Sequence, residues 1–167
     1  MTEYVHVSPD DRAEPRSHVI KLHGEEGFAG MRRAGALAAA ILDALAGRVV
    51  PGMATSEIDD IVRDMTIAAG AVPATLGYRG YTKSCCTSIN HVVCHGIPGD
   101  KALKDGDIVN IDVTVILDGW HGDTSRMYLV GDVPLKARRL VDVTWESLQR
   151  GIEIGRASCR ERVYLAG

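Results

Sequence analysis

Asp112 and Asp123 are the residues whose type and placement call for chemistry. Asp112 lies in Ile108–Leu117 (IVNIDVTVIL), the run with the strongest strand signal in the chain. Side chains alternate faces along a strand. One face of this run holds Val109, Ile111, Val113, Val115 and Leu117, while the other holds Ile108, Asn110, Asp112, Thr114 and Ile116. Aspartate is disfavoured in strands and is seldom buried without a partner. An unpaired buried carboxylate is costly unless it is protonated or meets a cation.

Asp118-Gly119 marks a two-residue hairpin turn, and Trp120 to Val130 supplies the return strand. If Leu117 pairs with Trp120, Asp112 faces Ser125 and Thr114 faces Asp123. The two carboxylates are then diagonal neighbours on one face, with Cβ atoms up to about 7–8 Å apart. Such a pair can hold one cation, or two cations about 3.5–4 Å apart. Without a metal, the like charges raise one of the two pKa values. The alternative is structural: Asp112 hydrogen-bonds Asn110 or Thr114, and Asp123 caps a turn. Two acids on one face favour the metal, and oxygen donors suit Mn, Fe, Co or Mg better than a structural zinc.

The elements that position this hairpin are visible in the spacing of apolar residues. From Glu25, the residues Phe28, Met31, Ala34, Ala38, Ile41 and Leu45 recur at three- and four-residue steps. That pattern predicts a helix stopping near Gly47 and Pro51. A second helix is expected from Thr55 or Ser56, with Glu57, Asp59 and Asp60 suiting its N-terminus electrostatically. Its buried face would be Ile58, Ile61, Met65 and Ala68, ending at Gly70. Both helices read as scaffold. Residues 77–99 read as a glycine-rich loop and short extended pieces around a turn at Ser88–Asn90. Helical spacing returns over residues 135–153 through Leu140, Val143 and Leu148. The order helix, helix, strands, helix predicts an α+β fold with an antiparallel sheet.

Composition narrows the function classes. The 167 residues suffice for one domain with a real core. A net charge of −3 without a basic stripe argues against nucleic acid as the main partner. No apolar run approaches the ~18 residues needed to span a membrane, and the polar, Pro-containing N-terminus is not a signal peptide. A cytoplasmic location follows as the default. Cys85, Cys86, Cys94 and Cys159 show no C-x-x-C spacing, so reduced thiols are expected rather than a zinc ribbon or a disulfide.

Other residues admit two readings. His95, in a Gly/Pro-rich turn, and His121, on the strand face of Asp123, could serve a site or act as structural hydrogen-bonders. Tyr78 and Tyr81 could be ordinary aromatics or line an apolar pocket. Lys83 reads as solvated. No phosphate-cradling Gly loop, G-x-S-x-G elbow or H-E-x-x-H helix occurs.

The stretches TLGYRGYTKSCCTSINHVVCHGIPGD and DGDIVNIDVTVILDGWHGDTSRMYLVGD closely resemble the type I methionine aminopeptidases. Similarity runs from about Ile20 to Ile154, and the Asp112/Asp123 pair with its HGDT motif is highly specific. The resemblance implies half of a pita-bread fold, an antiparallel sheet with covering helices. The implied activity is removal of the initiator methionine from nascent chains whose second residue is small. Two divalent metal ions (Co, Mn, Fe or Zn) are implied, held by two Asp, one His and two Glu and activating a water. Asp112 and Asp123 match the two aspartate ligands. His95 matches a histidine that contacts the substrate and its developing tetrahedral centre. Thr75, Tyr78, Tyr81 and Cys86 match positions around the methionine side-chain pocket, although position 75 is often Cys in relatives. His91 stands where an acid is expected.

The family's histidine ligand comes from a later G-H-G motif and its two glutamates from later strands, and none of these is in the sequence. Two aspartates alone leave a metal underligated, so the chain is expected to be an incomplete, inactive N-terminal half. The expected division is 1–24 as an N-terminal extension, 25–155 as that half, and 156–167 as a foreign or frameshifted tail. Implied partners are the N-terminal Met peptides of nascent chains, with ribosome association, no nucleic acid and no membrane, in a complete enzyme that is a monomer. Two other readings are a non-catalytic pita-bread binding module and a relative acting on X-Pro bonds; Tyr78, Tyr81 and the CHGIP segment favour methionine over the latter.

Overall fold

The computed structural model describes residues 3–6 and 19–156. Strands β1 (Glu3–His6) and β2 (Val19–Leu22) pair in parallel, within the segment expected to be a plain extension. Helices α1 (Glu25–Leu45) and α2 (Thr55–Ala68) follow, then strands β3 (Val72–Pro73), β4 (Cys86–Ile89), β5 (Ile108–Leu117) and β6 (Trp120–Leu129), and finally helix α3 (Leu135–Arg156). The expected foreign tail lies, beyond Arg156, outside the described residues.

The main sheet is antiparallel and centred on β5. Strand β6 pairs with it along its whole length, Ile108 with Leu129 through to Leu117 with Trp120. The other edge of β5 is shared: β4 pairs with residues 109–112 and β3 with residues 115–116. Asp118 and Gly119 have φ of 51° and 80°. Two successive left-handed residues turn the chain with the twist a two-residue hairpin needs.

Strand alternation divides the sheet as its sequence requires. Val109, Ile111, Val113 and Val115 are fully buried under the helices with Ala38, Ile41, Leu42, Leu45, Ile58 and Val62. The opposite face of β5 carries the half-buried Asn110, Asp112 and Thr114. Burying four branched side chains stabilises the arrangement by about 1.5–3 kcal/mol each.

Helix α1 lies directly on β6, at a distance only glycine permits. A Cβ on Gly122 would fall 2.1 Å from the carbonyl oxygen of Ala34, and one on Gly30 would meet the Trp120 ring at 2.4 Å. A buried hydrogen bond of 2.6 Å from the Tyr128 hydroxyl to the Leu42 carbonyl fastens the same interface. This corrects the expected face of α1. Gly27 and Gly30 turn inward to bed Trp120, while Phe28 and Met31 are each 49% exposed.

The α2 face is also rotated. Thr55, Ile58, Asp59, Val62 and Thr66 are buried; Ile61 and Met65 are only partly covered, and Ala68 is exposed. No hydroxyl caps this helix. Its first N–H groups donate to backbone instead, Thr55 N–H to the Lys101 carbonyl at 3.1 Å and Ser56 N–H to that of Gly99 at 2.9 Å. The Thr55 hydroxyl exchanges hydrogen bonds with Gly99, which draws that loop against the helix end. The expected turn at Ser88–Asn90 begins later: Ser88 and Ile89 stay in β4, and Asn90, at φ 53°, leaves it. Helix α3 forms as expected, but Leu140, Val143 and Leu148 on it are more than half exposed. Among the described residues no helix is long and apolar enough to cross a membrane.

Gly122→Ala is expected to cost roughly 2 kcal/mol or more, because backbone on both sides must shift. Urea unfolding measures this; a loss below 0.5 kcal/mol, the ordinary surface range, would show that α1 is not seated on β6 as described.

Candidate functional site

The hairpin register places Asp112 opposite Ser125 and Asp123 opposite Thr114. Positions 112 and 114 share a face, so both carboxylates lie on the side of the sheet away from the helices. The Thr114 hydroxyl donates to Asp123 Oδ1 at 3.1 Å, which fixes one rotamer of that acid. Asp112 titrates above the ordinary carboxylate range. Burial is the largest cause and the negative charge of Asp123 the next, with His95 working in the other direction. A site that resists its own negative charge is suited to a divalent cation, and the donors are hard oxygens. Among the described residues no three His, Cys, Asp or Glu side chains are arranged to hold a metal ion together, so Asp112 and Asp123 stand as a pair of donors.

Beside this pair is an open cavity of about 440 Å³ lined by Thr75, Tyr78, Arg79, Gly80, Tyr81, Cys86 and His95. The shared edge of β5 builds it. After β3 the chain stays on that edge through Ala74 N–H to the Thr114 carbonyl (2.9 Å), swings out, and returns as β4 with Cys86 opposite Asp112. The excursion is held by hydrogen bonds from the Thr75 hydroxyl to the Lys83 carbonyl (2.9 Å) and from Gly77 N–H to the Tyr81 carbonyl (2.7 Å). The Tyr81 hydroxyl donates to the Cys85 carbonyl at 2.9 Å and lies 3.4 Å from the Cys86 sulfur. Burial pushes the titration of Tyr81, Cys85 and Cys86 upward, so the phenol and the two thiols stay neutral.

His95 reaches the cavity from a turn laid against β4. Thr87 N–H donates to the Gly96 carbonyl (2.8 Å), and Gly96 N–H donates to the Ser88 hydroxyl (3.1 Å). A Cβ on Gly96 would sit 2.1 Å from the Thr87 carbonyl oxygen, so only glycine allows this approach. His95 itself has φ 56°, an uncommon conformation for a side-chain-bearing residue and one that concentrates at functional sites. The structure thus gathers Thr75, Tyr78, Tyr81, Cys86 and His95 around one cavity, next to Asp112. His121 does not join them; it is exposed on β6 opposite Ile116.

Asp59 was missed as a site-building residue. It is 3% exposed, and its Oδ1 accepts Ser84 N–H at 2.6 Å and Cys85 N–H at 3.2 Å. Lys83, expected to be solvated, lies 3.8 Å from its other oxygen. Asp59 therefore anchors the chain just where it enters β4. Its place one turn into a helix made it look like a charge serving the helix terminus, and only its i+4 relation to Thr55 and i−3 relation to Val62 hinted that it faces inward. Cys85, Cys86 and Cys94 are free thiols, as expected; Cys159 lies outside the described residues.

Asp59→Ala is expected to cost about 2–4 kcal/mol, since two buried N–H groups lose their acceptor, and to speed hydrogen exchange at Ser84 and Cys85 selectively. Unchanged exchange at those two amides would refute the anchor. For Asp112 the sign is opposite. A raised folded-state value favours the neutral form, so the stability it contributes is full below the ordinary carboxylate value of about 4. That contribution is lost as pH climbs through the raised value. Metal-free Asp112→Asn should accordingly melt about 1–2 °C above the parent at neutral pH, the shift being small because the site is half exposed. Millimolar manganese should stabilise only the parent. Equal metal stabilisation of both proteins would remove Asp112 from the site.

The description of metallopeptidase family M24 matches residues 29–161. A methionine aminopeptidase from Rickettsia prowazekii is 55% identical over 141 residues, covering 84% of this chain and 54% of that protein. One from Escherichia coli is 54% identical over 131 residues, covering 77% and 50% respectively. The crystal structure of the Rickettsia prowazekii methionine aminopeptidase aligns with TM-score 0.78 and 57% identity, over 80% of this chain and 54% of that one. An Xaa-Pro dipeptidase from Bacillus anthracis aligns with TM-score 0.67 at 17% identity over 80% of this chain and 39% of its own, a likeness of fold. This chain spans about half the length of the curated methionine aminopeptidases it matches. With the family description covering most of its length and the pita-bread arrangement of sheet and helices in place, the chain belongs to metallopeptidase family M24.

Proposed function

We propose that Asp112, Asp123 and the adjoining cavity are part of a metal-dependent aminopeptidase site that releases initiator methionine from chains with a small second residue. The observation that carries this reading is the juxtaposition itself: two oxygen donors on one sheet face beside a cavity lined by a thiol and two tyrosines. A long unbranched thioether side chain matches such a cavity, because sulfur and aromatic groups attract one another. On this reading His95, which lines the cavity and interacts electrostatically with Asp112, donates a hydrogen bond to a carbonyl oxygen as it gains charge.

A divalent cation held by Asp112 and Asp123 would supply Lewis-acid polarisation and a water that is easier to deprotonate. On this reading the centre is dinuclear, with Co, Mn, Fe or Zn. The remaining ligands, one His and two Glu, come from the part of the relatives' length that this chain does not span. Tyr78, Tyr81, Thr75 and Cys86 hold the first side chain, and the chain's N-terminal ammonium is drawn towards the acidic pair. The substrates are nascent chains met at the ribosome in the cytoplasm, and the working enzyme is a monomer.

Methionine release from Met-Ala-Ser, measured with cobalt or manganese, tests the reading. The 167-residue chain alone should give no turnover, and the same chain joined to the C-terminal half of the Rickettsia relative should give it. Asp123→Ala in the joined protein should lower the rate by about a hundred- to a thousandfold, the scale expected when an essential electrostatic group is lost. Robust turnover by the 167 residues alone would sink the partial-site reading. A joined protein that folds, binds metal and spares the peptide would sink the methionine reading.

A further inference from the structure

Among the residues lining the cavity, Arg79 is the one with a permanent charge, and nothing in the site as described makes use of it. It is exposed, and among the described residues no carboxylate lies within 4.0 Å of its guanidinium. The nearby cation Lys83, by contrast, is engaged with Asp59. The guanidinium carbon stands 5.4 Å from the centre of the Tyr78 ring, a stacking that orients the group and leaves its edge N–H donors free. The backbone holds it there at some cost: Arg79 has φ 49°, between Gly77 at 83° and Gly80 at 84°. A left-handed arginine between two left-handed glycines fixes where the side chain leaves the turn.

The cavity is therefore electrically polar, with Asp112 and Asp123 on one side and an unpaired arginine at the rim. On the aminopeptidase reading, a peptide whose first side chain fills the cavity and whose ammonium lies towards the acids would run outward past the exposed Arg79. We infer that Arg79 is a specificity-determining residue that favours peptides carrying a carboxylate just beyond the first two residues. This rests on the aminopeptidase reading and adds to it a class of substrate: acidic, rather than basic, N-terminal sequences. Arginine suits the role because its planar donors meet a carboxylate at two points.

The test is binding of Met-Ala-Glu-amide and Met-Ala-Lys-amide to the 167-residue chain, followed by NMR at the Tyr81 and His95 resonances. The acidic peptide should bind about two- to five-fold more tightly at low salt, the range of an exposed ion pair, and the gap should close as salt rises. Arg79→Asn, which keeps a residue tolerant of the left-handed region, should abolish the preference without weakening the basic peptide. Arg79→Glu should invert it. Equal binding of the two peptides, or a preference that survives Arg79→Asn, overturns the role of Arg79 and leaves the pocket reading intact. If neither peptide perturbs Tyr81 or His95, the pocket reading falls and the inference with it.

Discussion

The ten-pair backbone ladder between β5 and β6 decides where every other group in the site can be. Side chains alternate with a period of two, so a slip of one residue would carry Asp112 into the core and Val113 out of it. Two features prevent that slip. The Asp118–Gly119 turn accepts only a register with Leu117 opposite Trp120, and four branched aliphatic side chains on β5 have no other place to be buried. The acids are brought together as a consequence of the core, and it is core packing that offsets the unfavourable proximity of two negative charges.

That core depends in turn on how closely α1 approaches β6. Gly122 lets the helix backbone touch the strand, while Gly27 and Gly30 make room for Trp120, whose ring also meets His23 edge-on with centroids 5.3 Å apart. A helix seated this low covers the apolar face of β5 as well, through Ala34, Ala38 and Ile41, and leaves the opposite face free for polar groups. The second helix contributes differently. By holding Ser84 and Cys85 through Asp59, and Gly99 through Thr55, it fixes both ends of the segment that supplies β4 and the His95 turn.

How much of this could be read beforehand follows the range of the interactions involved. The hairpin register, the face shared by Asp112 and Asp123 and the extents of the three helices follow from local periodicity and one turn signal, and the structure reproduces them. The faces of α1 and α2 did not follow. Periodicity counts apolar residues, whereas Trp120 required an absence of side chains at Gly27 and Gly30, a demand set by a residue ninety positions away. Asp59 was illegible for a related reason: its partners lie 25 and 26 residues on, in a loop with no periodic signal. Among the cavity residues, Tyr78, Tyr81 and His95 stood as open candidates from their glycine-rich surroundings, while Thr75 and Cys86 were named only through resemblance, since their convergence depends on a sheet edge that two short strands share.

The division of labour across the sheet also explains how the site tolerates strain and charge. On the helix side, all of the central residues of β5 are apolar and fully buried, and a change of one methylene would be felt. On the other side, the neighbours are a half-buried acid, a loop turned through left-handed residues at 77, 79 and 80, and a histidine at φ 56°. Each of these is unfavourable by itself, and none is required by the core. They persist because they are tied to the rigid strands by a few hydrogen bonds: Ala74 to Thr114, Gly96 to Thr87 and Ser88, Tyr81 to Cys85. The stiff face thus holds the polar face in a geometry it would not adopt alone, which places the cavity beside two oxygen donors before any ligand arrives.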